Sequence, residues 1–234
     1  MKKVTISVLL MLFVITSSHA QFRVGAKGGV NLSNMSMEMQ SVEFDIYKPR
    51  TGFHAGLMAE YMFSEHFGVH TEVMYFNSGA NFDSDEFTKA TGTPDGIKKE
   101  GHVNMNTFQM PLYLKTKFKL TDNIKFYAMG GAFASYSPEA NMHIRISAEG
   151  ESVKLKWSLF DQQIQIMDDS GDNEDVQHRF NAGVAFETGI EMNQFVVGVG
   201  FRQVLNNMSA IHYIGLGEPT IKMWTANLSV GYYF

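Results

Sequence analysis

The chain has 234 residues, with no cysteine, 21 glycines, 5 prolines, 18% charged residues and a formal charge of −5. The missing cysteines exclude a disulfide scaffold, a thiol nucleophile and a thiolate zinc site. Charge is below the roughly 25% usual for soluble domains, yet no apolar run after the N-terminus approaches the ~18 residues of a membrane helix. That leaves two classes, a soluble β protein or a membrane β-barrel.

Residues 1–20 have the pattern of a signal peptide. Lys2 and Lys3 are its basic start, Val4 to Thr16 its apolar stretch, and Ser18-His19-Ala20 the small-residue site that places cleavage near Ala20. Without Lys2 and Lys3, 17 basic residues face 24 acidic ones, a net of −7. An acidic chain without a basic cluster predicts no nucleic-acid partner.

From residue 21 onward the dominant period is two, which predicts strands. Eight alternating segments follow in order: 22–32, 52–63, 67–77, 106–118, 124–136, 180–192, 195–205 and 221–234. In the fourth, Phe108, Met110, Leu112, Leu114 and Phe118 alternate with Gln109, Pro111, Tyr113, Lys115 and Lys117. Connections 64–66, 119–123 and 193–194 are short, whereas 33–51, 78–105, 137–179 and 206–220 are long. Every second connection being tight predicts an up-and-down antiparallel meander, with the long connections as outer loops. In hydrocarbon such a sheet must close, because unpaired edge groups cost several kcal/mol each. The expectation is therefore an all-β transmembrane barrel of eight strands over 21–234.

Three features favour apolar-out over the soluble alternative. Aromatics gather at both strand ends of the apolar face: Phe22, Tyr61, Phe63, Phe67, Phe118, Phe126, Phe195, Tyr232 and Phe234 at the turn end; Phe53, Tyr75, Phe108, Tyr136, Phe180 and Trp224 at the loop end. These are the two girdles of a membrane barrel. The opposite face holds charges of both signs, among them Arg23, Lys27, Glu60, Glu72, Lys115, Glu187, Glu191 and Arg202, which an enclosed lumen holds only as pairs. The C-terminal run Leu228, Val230, Tyr232, Phe234 is in phase with the other strands. It resembles the aromatic C-terminal strand signature of bacterial outer-membrane barrels, a resemblance that implies Phe234 is a handle for their assembly machinery.

The opening strand Gln21-Phe22-Arg23-Val24-Gly25-Ala26-Lys27-Gly28-Gly29-Val30-Asn31 resembles the PorT-like outer-membrane β-barrel family of Gram-negative bacteria. So do Gln109-Met110-Pro111-Leu112-Tyr113-Leu114-Lys115, Lys125-Phe126-Tyr127-Ala128-Met129-Gly130-Gly131 and Arg179-Phe180-Asn181-Ala182-Gly183. The resemblance implies a bacterial outer-membrane location with lipid as the surrounding partner, and for some members a tie to secretion or gliding machinery. It implies no shared chemistry.

Candidate chemistry is sparse. His54 and His70 share a face with Glu60 and Glu72, an arrangement suited to polar filling. His102, His143, His178 and His212 fall in loops without ligand spacing. Asp161, Asp168, Asp169 and His178 are rim groups with no fixed geometry. The acidic stretch Asp168 to Asp175 lacks calcium-loop spacing. The expectation is no enzyme, with no catalytic, cofactor-binding or metal residue and no cofactor. Met142–Ala148 and Val153–Leu159 alternate around Glu149-Gly150-Glu151, a hairpin. It either projects as a ribbon or joins the wall to make ten strands, and its short first arm favours the ribbon. Ile144, Ile146, Leu155 and Trp157 would make it a contact patch for a protein or surface ligand, within loop 137–179. Pro111, within a closed sheet, predicts a local bulge. The functional expectation is a structural or interaction protein working through its outer loops. The alternatives are a secretion- or transport-accessory barrel and a soluble periplasmic ligand-binding barrel.

Overall fold

In the computed structural model, the described residues are 22–40, 42–44, 46–82, 85, 97–148, 151–160, 176–210 and 219–234. The signal-peptide reading, Asp161, Asp168 to Asp175 and His212 lie outside them. Ten strands follow in chain order: β1 (Phe22–Met39), β2 (Val42–Phe44), β3 (Tyr47–Met62), β4 (Phe67–Phe82), β5 (Ile97–Lys119), β6 (Ile124–Ala148), β7 (Glu151–Ser158), β8 (Phe180–Met192), β9 (Phe195–Val204) and β10 (Thr220–Tyr233). Eight of them run antiparallel in the order β1-β3-β4-β5-β6-β8-β9-β10, and β10 pairs back onto β1 from Gly25↔Tyr233 to Glu38↔Thr220. The wall is therefore closed, with no free edge along its spanning part. The two remaining strands are outside the ring: β2 pairs β1, and β7 pairs β6.

Tight turns join the strands at one end. At β8–β9, Asn193 takes the left-handed conformation (φ 55°), which Asn tolerates better than most side chains. The last residue is tied in as well: the Phe234 N–H donates to the Val24 carbonyl at 2.9 Å.

The two faces are inverted relative to a water-soluble protein. Leu114 is 72% exposed on the outer surface, while Glu72 inside is 1% exposed. Leu57, Met110, Leu112, Phe186 and Val230 also stand outward. A continuous apolar belt of this kind needs a non-aqueous surrounding. Aromatic girdles border it. At the loop end, ring contacts run Phe53–Tyr75 (5.8 Å), Tyr75–Phe108 (5.7 Å) and Tyr136–Phe180 (4.8 Å); at the turn end, Phe195–Tyr232 (5.0 Å) and Tyr232–Phe234 (6.0 Å).

Above the loop-end girdle the wall continues. β5 has 23 residues and β6 has 25, about twice the ~9–11 that span a bilayer. Much of the sequence read as loops 33–51 and 78–105 is therefore strand: β1 runs on to Met39, β3 starts at Tyr47, β4 reaches Phe82 and β5 starts at Ile97. Two irregularities lie in this upper wall. One is in β3 between Pro49 and Phe53, and the other gives β6 an extra residue opposite Asn106 to Phe108. Beside the first, β4 turns at Gly79 (φ 146°), where a Cβ would meet the Val103 carbonyl oxygen at 2.0 Å. The backbone N–H and carbonyl of Gly79 instead bond the Ser33 hydroxyl at 2.9 and 2.7 Å.

The bulge expected at Pro111 is not there. Register passes from Thr71↔Leu112 to Met74↔Gln109 with equal residue counts on both strands, and Pro111 stays opposite Phe133. The proline simply omits its donor, and its carbonyl accepts the Thr71 hydroxyl at 2.8 Å.

Candidate functional site

The lumen is full, in two layers of opposite chemistry. The turn-end half holds five cations and four carboxylates. Glu60 accepts Arg23 (2.6 Å), Lys115 (2.7 Å) and Lys117 (2.5 Å). Glu191 accepts Arg23 (2.6 Å) and Lys117 (2.8 Å). Lys27 bridges Glu72 and Glu187. Glu72 also faces Arg202 (3.3 Å) and His70 (3.0 Å), and the Tyr127 hydroxyl donates to Glu187 at 2.9 Å. Buried charges persist when their partners are this close and their remaining positions are hydrogen-bonded. Gly198 makes room for this packing, since a Cβ there would be 2.1 Å from the Tyr127 hydroxyl.

His54 lies one step further up, stacked on Phe76 at 5.0 Å, with its Nε2 2.9 Å from the Ser229 hydroxyl. Among the described residues the His54 Nδ1 has no hydrogen-bond partner. At the turn end a vestibule of about 540 Å³, lined by Arg23, Glu60, Lys117 and Lys125 among others, stops at the ion pairs.

The loop-end half of the interior is mostly apolar, with buried hydroxyls such as Ser33, Ser78, Thr107 and Ser137 set among the apolar side chains. Met35, Phe82, Val103, Met105, Met208 and Met223 are all buried there. Chain segments cross over this layer: the Leu159 N–H donates to the Ala140 carbonyl (2.8 Å), Val176 to Leu159 (2.9 Å), His178 to Met208 (2.8 Å) and Ala210 to Val176 (3.0 Å). Phe160 is buried in the same cluster. The rim histidine His178 is exposed and uses its backbone in this seam.

Beyond the seam the outer parts of β5 and β6, with β7, form a three-stranded sheet. Its registers are Val103↔Met142↔Trp157, Gly101↔Ile144↔Leu155 and Lys99↔Ile146↔Val153 on one face. The other face has His102↔His143↔Lys156 and Glu100↔Arg145↔Lys154. The hairpin is thus a projecting structure, but three strands wide rather than two, and the wall stays at eight. The contact patch is partly used internally: Ile144 packs against the apolar interior with Met142, and Ile146 and Leu155 are half-buried, while Trp157 keeps 41% exposure.

His102 and His143, expected as unrelated loop residues, are cross-strand neighbours with rings stacked at 4.7 Å and 16°. Burial first, then His143 and Arg50, hold the His102 imidazole below its ordinary 6.5. Below them an amide network covers the same surface. Asn77 donates to Asn104 (2.8 Å) and Asn106 (2.9 Å), and Glu139 accepts Asn106 (2.8 Å) and Asn141 (2.7 Å). Those two amides hold the Glu139 carboxyl below its usual value. Among the described residues no group of three or more His, Asp or Glu side chains is arranged to hold a metal ion.

The chain is similar to several solved structures. The Ail attachment invasion locus protein of Yersinia pestis is 14% identical, with 92% of this chain and 100% of that chain covered and a TM-score of 0.38. OprG of Pseudomonas aeruginosa is 14% identical over 92% and 96%, with a TM-score of 0.45. The outer membrane enzyme PagL is 9% identical over 86% and 98%, with a TM-score of 0.40. No curated protein matches the chain. Residues 16–210 match the family described as outer membrane protein beta-barrel domain. The chain belongs to that family and is a bacterial outer-membrane β-barrel, with apolar wall outward and charged lumen inward.

Proposed function

We propose that this barrel is a sealed membrane anchor that presents its loop end, above all the β5–β6–β7 sheet, as an interaction surface outside the cell. The carrying observation is the contrast between a doubly filled lumen and a wall that rises far beyond the membrane. Ion pairs close one half, and buried methionine and phenylalanine close the other. An eight-stranded wall encloses space for side chains or at most one small ligand, and here ion pairs and apolar side chains occupy it. The residues that rise above the girdle serve no spanning purpose, so their retention fits surface contact.

In this reading residues 1–20 direct export and are removed near Ala20, and Phe234 presents the final strand to the assembly machinery. The barrel works without catalytic groups, cofactor or metal. The PorT-like residues Gln109 to Lys115 and Phe22 to Asn31 support a second reading, an accessory barrel in secretion or transport.

Protease treatment of intact cells tests the orientation. Trypsin should cut at the exposed Lys154 and Lys156 and leave the spanning core intact. Protection of both sites, with cleavage only after the cells are opened, would place the sheet on the periplasmic side and end this reading.

A further inference from the structure

We propose that the outward face of the β5–β6–β7 sheet binds the phosphorylated sugar headgroup of an outer-leaflet glycolipid. This rests on the loop end facing outward. The chain carries a net charge of −5, yet this face gathers Lys98, Arg145, Lys154 and Lys156, all exposed, beside the imidazoles of His102 and His143. Its carboxylates among the described residues are Glu100, opposite Arg145, and Glu139, already bonded to two amides. The reverse face of the same strands carries Val103, Met142, Ile144 and Leu155. Of the five cations on the outer parts of these three strands, four therefore stand on the side that continues the lipid-facing wall, and Lys99 alone is on the reverse face.

Height selects the ligand. The row His102–His143–Lys156 is six residues beyond Phe108 on β5. At a rise of ~3.3 Å per residue and a tilt of ~40°, that places it about 15 Å above the girdle. A phospholipid headgroup layer is only about 5–8 Å deep, so its phosphate stays below the row even if a lysine stem bends toward it. A glycolipid with phosphate on its sugars spans the gap, along the amides of Asn104, Asn106 and Asn141. Lipid standing against Phe108 and Tyr136 also presents its headgroup at high effective concentration, an advantage that a soluble anion lacks.

The test uses the full barrel in phosphatidylcholine nanodiscs containing lipopolysaccharide, dephosphorylated lipopolysaccharide or phosphatidylglycerol. Retained lipid is quantified after transfer to a mild detergent. Each cation near an anionic layer contributes roughly a fivefold factor in affinity, so K98Q/K154Q/K156Q should weaken lipopolysaccharide retention on the order of 100-fold. The heat-dependent gel shift of that variant should stay normal, and the matching lysine-to-arginine variant should retain lipid as the native chain does. Dephosphorylated lipopolysaccharide and phosphatidylglycerol should be held weakly. Equal retention by the correctly folded glutamine variant would overturn the proposal. So would equal binding of phosphatidylglycerol, or of free inorganic pyrophosphate by the micellar barrel. If lipid retention fails while trypsin still cuts Lys154 on intact cells, the interaction surface stands and the glycolipid assignment falls. If trypsin does not cut there, the orientation itself is wrong.

Discussion

The two halves of the lumen are filled by opposite means. Near the turns, Glu60, Glu72, Glu187 and Glu191 are surrounded by Arg23, Lys27, Lys115, Lys117 and Arg202 at bonding distance. Near the loops, Met35, Met105, Met208 and Met223 fill the same kind of space without a charge. A charge network is specific and intolerant, because each removed partner leaves others buried and uncompensated. A methionine cluster adapts, because the unbranched side chain fills irregular gaps. One wall thus contains a rigid base inside the bilayer and a more forgiving collar above it, where the interior meets segments that cross the loop end.

Substitutions sharpen that contrast. Glu72→Gln keeps the shape and deletes the charge facing Lys27, His70 and Arg202. It should cost about 3–5 kcal/mol, read as a fall in the urea midpoint of the heat-dependent gel shift in detergent micelles. An unchanged midpoint would mean the pairs are incidental. Met105→Ala, at a fully buried position, should cost about 2–5 kcal/mol through the cavity it leaves. Met105→Leu should cost less than about 1.5 kcal/mol. If Met105→Leu proves as damaging as Glu72→Gln, the two halves do not differ in tolerance. Deleting Phe234 removes an exposed terminal ring 6.0 Å from Tyr232 and one backbone bond to Val24. Its effect should appear as a severalfold loss of folded barrel in the membrane fraction, with little change in the midpoint of the barrels that do form. A lowered midpoint at normal yield would assign Phe234 to stability rather than assembly.

The smallest effect concerns the collar surface. Arg50 is among the groups that hold His102 below 6.5, so Arg50→Gln should move the His102 titration midpoint upward in ring NMR spectra. Because the folded chain resists protonating this imidazole, its contribution to stability is present above pH 6.5 and declines as pH falls below that value. A downward shift in the variant would show that Arg50 does not act on the ring electrostatically.

The sequence revealed the spanning wall and concealed its height. All eight wall strands were legible because lipid forces strict alternation, as in Phe108, Met110, Leu112 and Leu114. Above the girdle the pattern inverts. On β5 the apolar positions become Val103 and Met105, which face inward, while Asn104 and His102 face out. On β1 the outward Val30 and Leu32 give way to the inward Met35 and Met37. Outside the bilayer the outer face is wetted and the interior becomes the apolar side, so the phase reverses without a break in the strand. A reading that follows one phase ends each strand at the reversal and calls the remainder a loop. The same reversal hid the stacked pair of His102 and His143, which are 41 positions apart and meet only through the extended β5–β6 register. The signal from Pro111 misled in the other direction, since a single missing donor was absorbed without an extra residue.

Conductance in planar bilayers tests the sealed lumen most directly. With both layers filled, the purified barrel should give no sustained current steps across the voltage range its membrane tolerates, for the native chain and for Met105→Leu alike. Large, long-lived single-channel steps from the native barrel would contradict the account.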